Sequence, residues 1–193
     1  MDIFKDNERV QKSKRSFAAR KALGFGKNFE KIIIDACEYY RSQGIADISK
    51  IDEPFKVLKL YRYRQFKGQF TDKANPDFEG TLKGGQSICF EAKYTSQKRM
   101  EKSVISERQE EILSTKSELG AVVGVCVGII DRYFFVPWEV WDNIEGIYGK
   151  KSVNANDLAR FEVKFRHGVM FLDRLNKEGR YECFSNSQIH EGR

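Results

Sequence analysis

Apolar residues recur at helical spacing through KNFEKIIIDACEYYRSQG, residues 27–44. Phe29, Ile33, Cys37 and Tyr40 share one stripe, and Ile32 and Ala36 widen it. Gly44 supplies a natural stop. Glu30 lies one turn before Ile33 and Ile34, at the border of that stripe, where an acid is either a border charge or a group aimed into a site. The period then shortens. Between Leu58 and Phe66 it roughly alternates, which predicts strand or extended structure with a turn near Lys67 and Gly68. Two further strands, about 77–81 and 87–94, flank the turn at Lys83-Gly84-Gly85. Helical spacing returns over about 103–119. AVVGVCVGII predicts a buried central strand, and RYFFVP pairs with it across a turn at Asp131. PWEVWDNI predicts a short helix, RFEVKF a strand and GVMFLDRLNKEG another short helix; residues after about 180 carry no clear pattern. Helix, strands, helix, strands without internal repeats is the order of an α/β domain built around a mixed sheet.

Size and composition narrow this reading. The chain has 193 residues, 40% of them apolar, which suits one domain with a real core. No run approaches the ~18–20 apolar residues of a membrane span, and the charged N-terminus lacks a signal-like apolar core, so a cytoplasmic protein is expected. Cys37, Cys89, Cys126 and Cys183 are far apart, with no CxxC pair, and read as buried free thiols rather than zinc ligands. With only His167 and His190 present, a histidine-rich metal site is not expected.

The net charge is +6, and its distribution says more than its size. Residues 1–27 hold eight Lys or Arg against three acids, with poor apolar periodicity; this is a basic arm for a partner or a solvated terminus without a role. Between Pro54 and Asp72 there is no acid. That stretch interleaves Lys56, Lys59, Arg62, Arg64 and Lys67 with Phe55, Tyr61, Tyr63, Phe66 and Phe70. An ordinary exposed hairpin mixes both charge signs. Cations for phosphates beside aromatic faces for bases point to nucleic acid.

The candidate chemistry lies in NPDFEGTLKGGQSICFEAKY, residues 75–94. On a strand, Glu91 and Lys93 face one way and Ile88, Phe90 and Ala92 the other, so the acid and the lysine can enter a cleft while the apolar side packs. Antiparallel pairing across the Gly-Gly turn brings Asp77 close to Glu91. Two carboxylates that close repel unless a cation lies between them, and Mg²⁺, which takes oxygen ligands, suits them. Lys93 is then placed to act on a water and on the phosphate. In the helix from Ser103, Gln109 falls on the stripe of Ile105, Ile112 and Leu113. It is either a half-exposed border residue or a glutamine packed behind the site.

Pro76-Asp77 followed by Glu91-Ala92-Lys93 resembles the PD-(D/E)xK nuclease signature. More specifically, residues from about 26 to 175 resemble the RecU-type Holliday-junction resolvases of bacteria and their phages. The resemblance rests on GKNFE with Glu30, ADISKIDEPFKV, DFEG, CFEAK, ISERQEEIL with Gln109, and GVCVGII with YFFVPWEVW. It implies a restriction-endonuclease-like mixed β-sheet flanked by helices, with a protruding basic stalk at about 55–73. The flanking expectations are an arm over 1–25, a nuclease domain over 26–180 and a tail over 181–193. It also implies a homodimer that nicks four-way DNA junctions symmetrically in recombination and repair, using Mg²⁺ with Mn²⁺ as a substitute. By matched position, Asp77, Glu91 and the Ala92 carbonyl hold the metal, and Glu30 completes the acidic cluster, directly or through water. Lys93 and Gln109 join the catalytic set, and Lys56, Lys59, Tyr61, Arg62, Tyr63, Arg64, Phe66 and Lys67 bind DNA. Two features depart from the family pattern: Asn75-Pro76 stand before the aspartate, where a Ser/Thr and an aliphatic residue are common, and Arg108 precedes Gln109, where histidine is frequent. Two other readings stay open, a related nuclease acting on linear duplex and a non-catalytic DNA-binding protein on the same fold.

Overall fold

The computed structural model describes residues 26–52, 55–70 and 75–173. The expected arm over 1–25, the tail after 180, Cys183 and stalk residues 71–73 lie outside the described residues, as do the side chains of Phe55, Arg64 and Phe70.

Helix α1 is described over 26–42 and buries the predicted stripe, Phe29, Ile33, Ala36, Cys37 and Tyr40. It ends as expected at Gly44, whose φ of 61° lets Gly44 N–H reach Arg41 C=O and Ile45 N–H reach Tyr40 C=O. Those two bonds cap carbonyls that the helix leaves open. Strand β1 (Ala46–Lys50) follows. Strands β4 (Phe78–Leu82) and β5 (Ser87–Thr95) form the predicted hairpin, with Phe78 opposite Phe90. The chain then crosses through β6 (Arg99–Glu101), a 3-10 turn at Lys102–Val104 and helix α2 (Glu107–Glu118) to β7 (Val122–Ile129), which runs parallel to β5. Strand β8 (Arg132–Pro137) turns back beside β7. The sheet order is β1-β4-β5-β7-β8, mixed, with β5 in the middle.

Alternation divides the core between the two faces of this sheet. Phe78, Ile88, Phe90, Cys126 and Phe135 pack with α1 and with Val169–Leu172. Cys89, Val123, Val125, Val127, Phe134 and Val136 pack with α2, with α3 (Trp138–Asp142) and with Ile144 of α4 (Ile144–Tyr148). The middle strands are therefore covered on both sides, as parallel pairs require. Burial pushes the thiols of Cys37 and Cys89 up to about 12, in keeping with free, unreactive packing cysteines. Among the described residues, no helix is long and apolar enough to cross a membrane.

Several expectations change. The hairpin of β2 (Phe55–Leu60) and β3 (Phe66–Phe70) turns at Arg62–Arg64, not at Lys67-Gly68; Tyr61 N–H closes it on Gln65 C=O, and Lys67 pairs with Lys59 inside the ladder. RFEVKF is not a strand. It begins in a 3-10 turn at Ala159–Phe161 and contributes only single bridges, Glu162 to Phe134 and Phe165 to Val169. The described part of GVMFLDRLNKEG is a bridge and a turn rather than a helix, because Gly168 at φ 139° and backbone bonds such as Val169 N–H to Ile32 C=O draw it across α1. Helix α2 starts at Glu107 and not at Ser103. The small pair β6 and β9 (Ser152–Asn154) was not anticipated, since three-residue strands carry too little pattern.

Gly80 on β4 pairs with Ile48 of β1, and a Cβ there would overlap Asp47 O and come within 2.6 Å of Ile48 Cα. Gly80→Ala is therefore expected to lower stability by about 1–3 kcal/mol, despite removing a flexible glycine from a strand. The check is the urea midpoint at unchanged slope; an equal or higher midpoint would show that β1 and β4 separate without cost.

Candidate active site

Glu91 lies on β5, the middle strand, and its side chain is 0% exposed. Alternation puts it on the α2 face of the sheet, one step past buried Cys89. It is fully buried, not in the open cleft that the sequence predicts. Lys93, two residues on and half-buried, donates from Nζ to Glu91 Oε2 at 2.9 Å. The other carboxylate oxygen, Oε1, is buried without a hydrogen-bond partner. Burial, the largest cause, pushes this carboxyl up to about 7; Lys93 opposes the rise and nearby Asp77 adds to it.

Asp77 stands just before β4, and the 78-to-90 register places it opposite Glu91. Its position has a local cause. The β4–β5 ladder stops at Phe78 opposite Phe90, and beyond it Ala92 N–H donates to Asp77 Oδ2 at 2.9 Å, while Pro76 has no N–H to offer the Ala92 carbonyl. In an extended strand the N–H and C=O of one residue point the same way, so the Ala92 carbonyl also faces the Asp77 side. Three hard oxygen donors are thus brought to one edge: Asp77, Glu91 and Ala92 C=O.

Glu30, on the first turns of α1, is held by Lys50, whose Nζ approaches its Oε2 to 2.6 Å. That bond is the chief reason the Lys50 ammonium is held above its usual range, and Asp77 contributes in the same direction. Lys50 therefore links Glu30 to the Asp77 side of the site. Sequence reasoning missed it. The available signal was alternation: Ala46 and Ile48 are buried on the α1 face, and Lys50 continues that face. Among the described residues, no three carboxylate, thiol or imidazole groups form a ready metal-holding cluster. The structure brings Asp77, Glu91 and Lys93 together and leaves Glu30 on Lys50.

Gln109 is half-buried, as the border-residue reading expects, and its side chain is used locally. It is residue N3 of α2 and closes a capping box, with its Oε1 accepting from Ser106 N–H at 3.0 Å and Ser106 Oγ accepting from Gln109 N–H at 3.4 Å. The S-x-x-Q spacing in ISERQ carried this signal.

The basic hairpin is separate from these acids. From Lys56 to Lys67 its described side chains are exposed, including Leu60 at 74% and Tyr63 at 94%. Tyr63 takes φ 63°, a rare choice for a bulky residue, which lifts its ring to the tip. Lys59 Nζ lies 5.3 Å from the centre of the Tyr61 ring.

The buried carboxyl sets a pH dependence. Between the ordinary value of 4.5 and about 7, native Glu91 keeps a proton that the unfolded chain has released, so stability falls as pH rises through that window. The loss is complete above about pH 7. Glu91→Gln, which has no charge to bury, is expected to gain on the wild type as pH rises from 5 to 8 in metal-free buffer, measured by denaturant midpoints. A constant difference between the two would show that Glu91 ionises without penalty.

Comparison with known proteins places this geometry. The model of the family RecU, recombination protein U, matches residues 25–177. The Holliday junction resolvase RecU of Streptococcus gordonii is 34% identical over 97 residues, 48% of this chain and 46% of that protein. That of Streptococcus sanguinis is 37% identical over 79 residues, 38% of this chain and 39% of the relative. In these alignments the chain spans half or less of the length of the curated relatives it matches. Among solved structures, Hjc, a Holliday junction resolvase from Archaeoglobus fulgidus, aligns with 72% of this chain and 90% of its own, at a TM-score of 0.43 and 13% identity. The family model covers most of the chain, from the start of α1 past the last described turn, and the protein belongs to the RecU family.

Proposed function

We propose that this protein is a metal-dependent endonuclease that resolves four-way DNA junctions. One observation carries the chemistry: a fully buried carboxylate oxygen, Glu91 Oε1, has no partner and lies beside a second carboxylate, Asp77. Burying an ionised carboxylate without a partner is costly, and a hard divalent cation removes that cost. The donor set fits Mg²⁺ or Mn²⁺: Asp77, Glu91 and the Ala92 carbonyl would hold it, with Glu30 contributing through water once Lys50 yields. When bound, the cation supplies charge neutralisation and a more acidic water. The remaining work falls to the chain. Ala92 N–H fixes the Asp77 carboxylate in place. Lys93, already within 2.9 Å of Glu91, keeps its ammonium beside the reacting phosphate and offsets the charge that builds there. The α2 face excludes bulk water from Glu91.

The exposed hairpin would read the substrate. Lys56, Lys59, Arg62 and Lys67 offer phosphate contacts, and Tyr61, Tyr63 and Phe66 offer stacking faces for bases unpaired at a branch point. Each chain has one Asp77–Glu91 pair, so two opposed nicks call for two copies and support a homodimer. Such an enzyme works where cellular or phage DNA lies, in the cytoplasm.

The test maps nicks on a four-way junction and on linear duplex of the same sequence. Mg²⁺ and Mn²⁺ are expected to support cutting, Ca²⁺ to support binding with little turnover, and EDTA to stop it. Asp77→Ala and Glu91→Ala should abolish cleavage and leave junction affinity nearly unchanged, since phosphate contacts supply most of it. Full cutting by Asp77→Ala would remove the site; equal cutting of linear duplex would favour a nuclease of broader substrate range.

The hairpin separates from the chemistry. Arg62→Ala with Lys67→Ala should weaken binding and make its salt dependence shallower by ~0.9 per lost duplex contact. Tyr61→Ala with Tyr63→Ala should leave the slope and reduce the preference for junction over duplex, because stacking is worth ~1–3 kcal/mol per base. Competition binding at several salt concentrations reads both. Wild-type slope and preference in both variants would exclude the hairpin as the branch probe.

A further inference from the structure

The two-residue turn between β7 and β8 has an unusual occupant. Ile130 takes φ 60° and is 47% exposed. A β-branched side chain in the left-handed region is a strained choice at a position that glycine, asparagine or aspartate fills without strain. Packing does not account for it, since the side chain is half in solvent. The conformation is held from a neighbouring strand: Ile130 N–H donates to Thr95 C=O at 2.9 Å, and the Tyr94 hydroxyl donates to Ile130 C=O at 2.9 Å. Tyr94 and Thr95 are the two residues after Lys93, so the turn is fastened to the end of the strand that carries Glu91.

Beside Ile130 opens a cleft of about 470 Å³ that also touches Lys98, Arg99 and Asn154. Lys98 and Arg99 are exposed and have no ion-pair partner among the described residues; the Arg99 guanidinium donates to Ser152 Oγ at 3.4 Å. Arg132 is committed to Glu162 through two bonds, which leaves Asp131 as the one acid lining the cleft. An apolar tip flanked by two cations without an ion-pair partner among the described residues matches the edge of a DNA duplex, where apolar side chains wedge between bases and cations hold the adjoining phosphates. Thr95 lies four residues beyond Glu91, ~13 Å along the strand. Nucleotides of one strand are spaced ~3.4 Å along the duplex axis, so a duplex laid along this strand would bring the tip three or four nucleotides from a phosphate at Glu91.

We infer that the β7–β8 turn is a second nucleic-acid contact, in which Ile130 unstacks a base three or four nucleotides from the cut while Lys98 and Arg99 hold the flanking phosphates. The inference rests on the junction-nuclease reading and adds to it a surface outside both the acidic site and the hairpin. The experiment uses the full chain and four-way junctions carrying single 2-aminopurines at one to six nucleotides from the mapped cut, titrated without added metal. Wild type should raise fluorescence several-fold at the third or fourth position. Ile130→Gly and Ile130→Asn relieve the backbone strain, so they should melt no lower than wild type, yet lose the rise. Lys98→Ala with Arg99→Ala should make the salt slope shallower by ~1.8. The inference fails if wild type binds the junction with no rise at any position, if both Ile130 variants keep it, or if the double lysine–arginine variant keeps the wild-type slope. It also fails if Ile130→Asn changes the sedimenting mass, since the turn would then join copies of the chain. A protein that binds and cuts junctions without the rise loses this inference alone, whereas one that binds no junction loses the functional reading with it.

Discussion

Burial of a carboxylate on the middle strand governs how the rest of the molecule is arranged. Glu91 points to the face of β5 that packs with α2 and α3, beside buried Cys89 and Val125. In that setting the charged form is penalised, and Lys93 offsets only part of the penalty through one oxygen. The second oxygen stays without a donor. A protein gains nothing in stability from such an arrangement, and an apolar residue at 91 would pack at lower cost. Under the proposed function, the feature is a standing demand for a cation, sited where each electrostatic interaction is strengthened.

The neighbouring elements serve that demand. Ala92 N–H fixes the Asp77 carboxylate, and the Ala92 carbonyl faces the same side. Lys50 holds Glu30 in reserve at the edge. In metal-free protein, cations of the chain itself, Lys50 and Lys93, stand among the acids and limit their repulsion. The capping box of α2, with Gln109 at N3, fixes the start of the helix whose Leu113 packs onto this face. None of these contacts alone makes a nuclease site; together they keep two carboxylates in register at the end of a rigid sheet.

Recognition is kept apart from this dry centre. The β2–β3 hairpin spends apolar and aromatic surface on solvent, with Leu60, Tyr61, Tyr63 and Phe66 all exposed. Surface of that kind, interleaved with lysine and arginine and free of acids, is retained for a partner rather than for folding. The strained turn at Ile130 has the same character on a smaller scale.

Much of this was legible from the chain alone. The α1 stripe with its Gly44 stop, the β4–β5 hairpin, the buried β7 and its return through β8 follow from periodicity and turn residues, because those signals act over a few positions. The pairing of Asp77 with Glu91 and Lys93 was legible because register across one short turn is local. Other features were set by contacts far apart in sequence. RFEVKF alternates like a strand, yet tertiary bonds to β8 and to Val169 and Met170 hold it as turns and single bridges. Lys67-Gly68 has turn composition, but its pairing with β2 moves the reversal to Arg62–Arg64. The Lys50–Glu30 pair spans 20 positions, and the face that buries Glu91 is built from α2, α3 and β7, all downstream of it. The sequence thus determined which charged groups stand close together and which strands hold them. Only the tertiary structure decided which charges lose water and which partners they meet, since desolvation is a property of the assembled core and not of any segment.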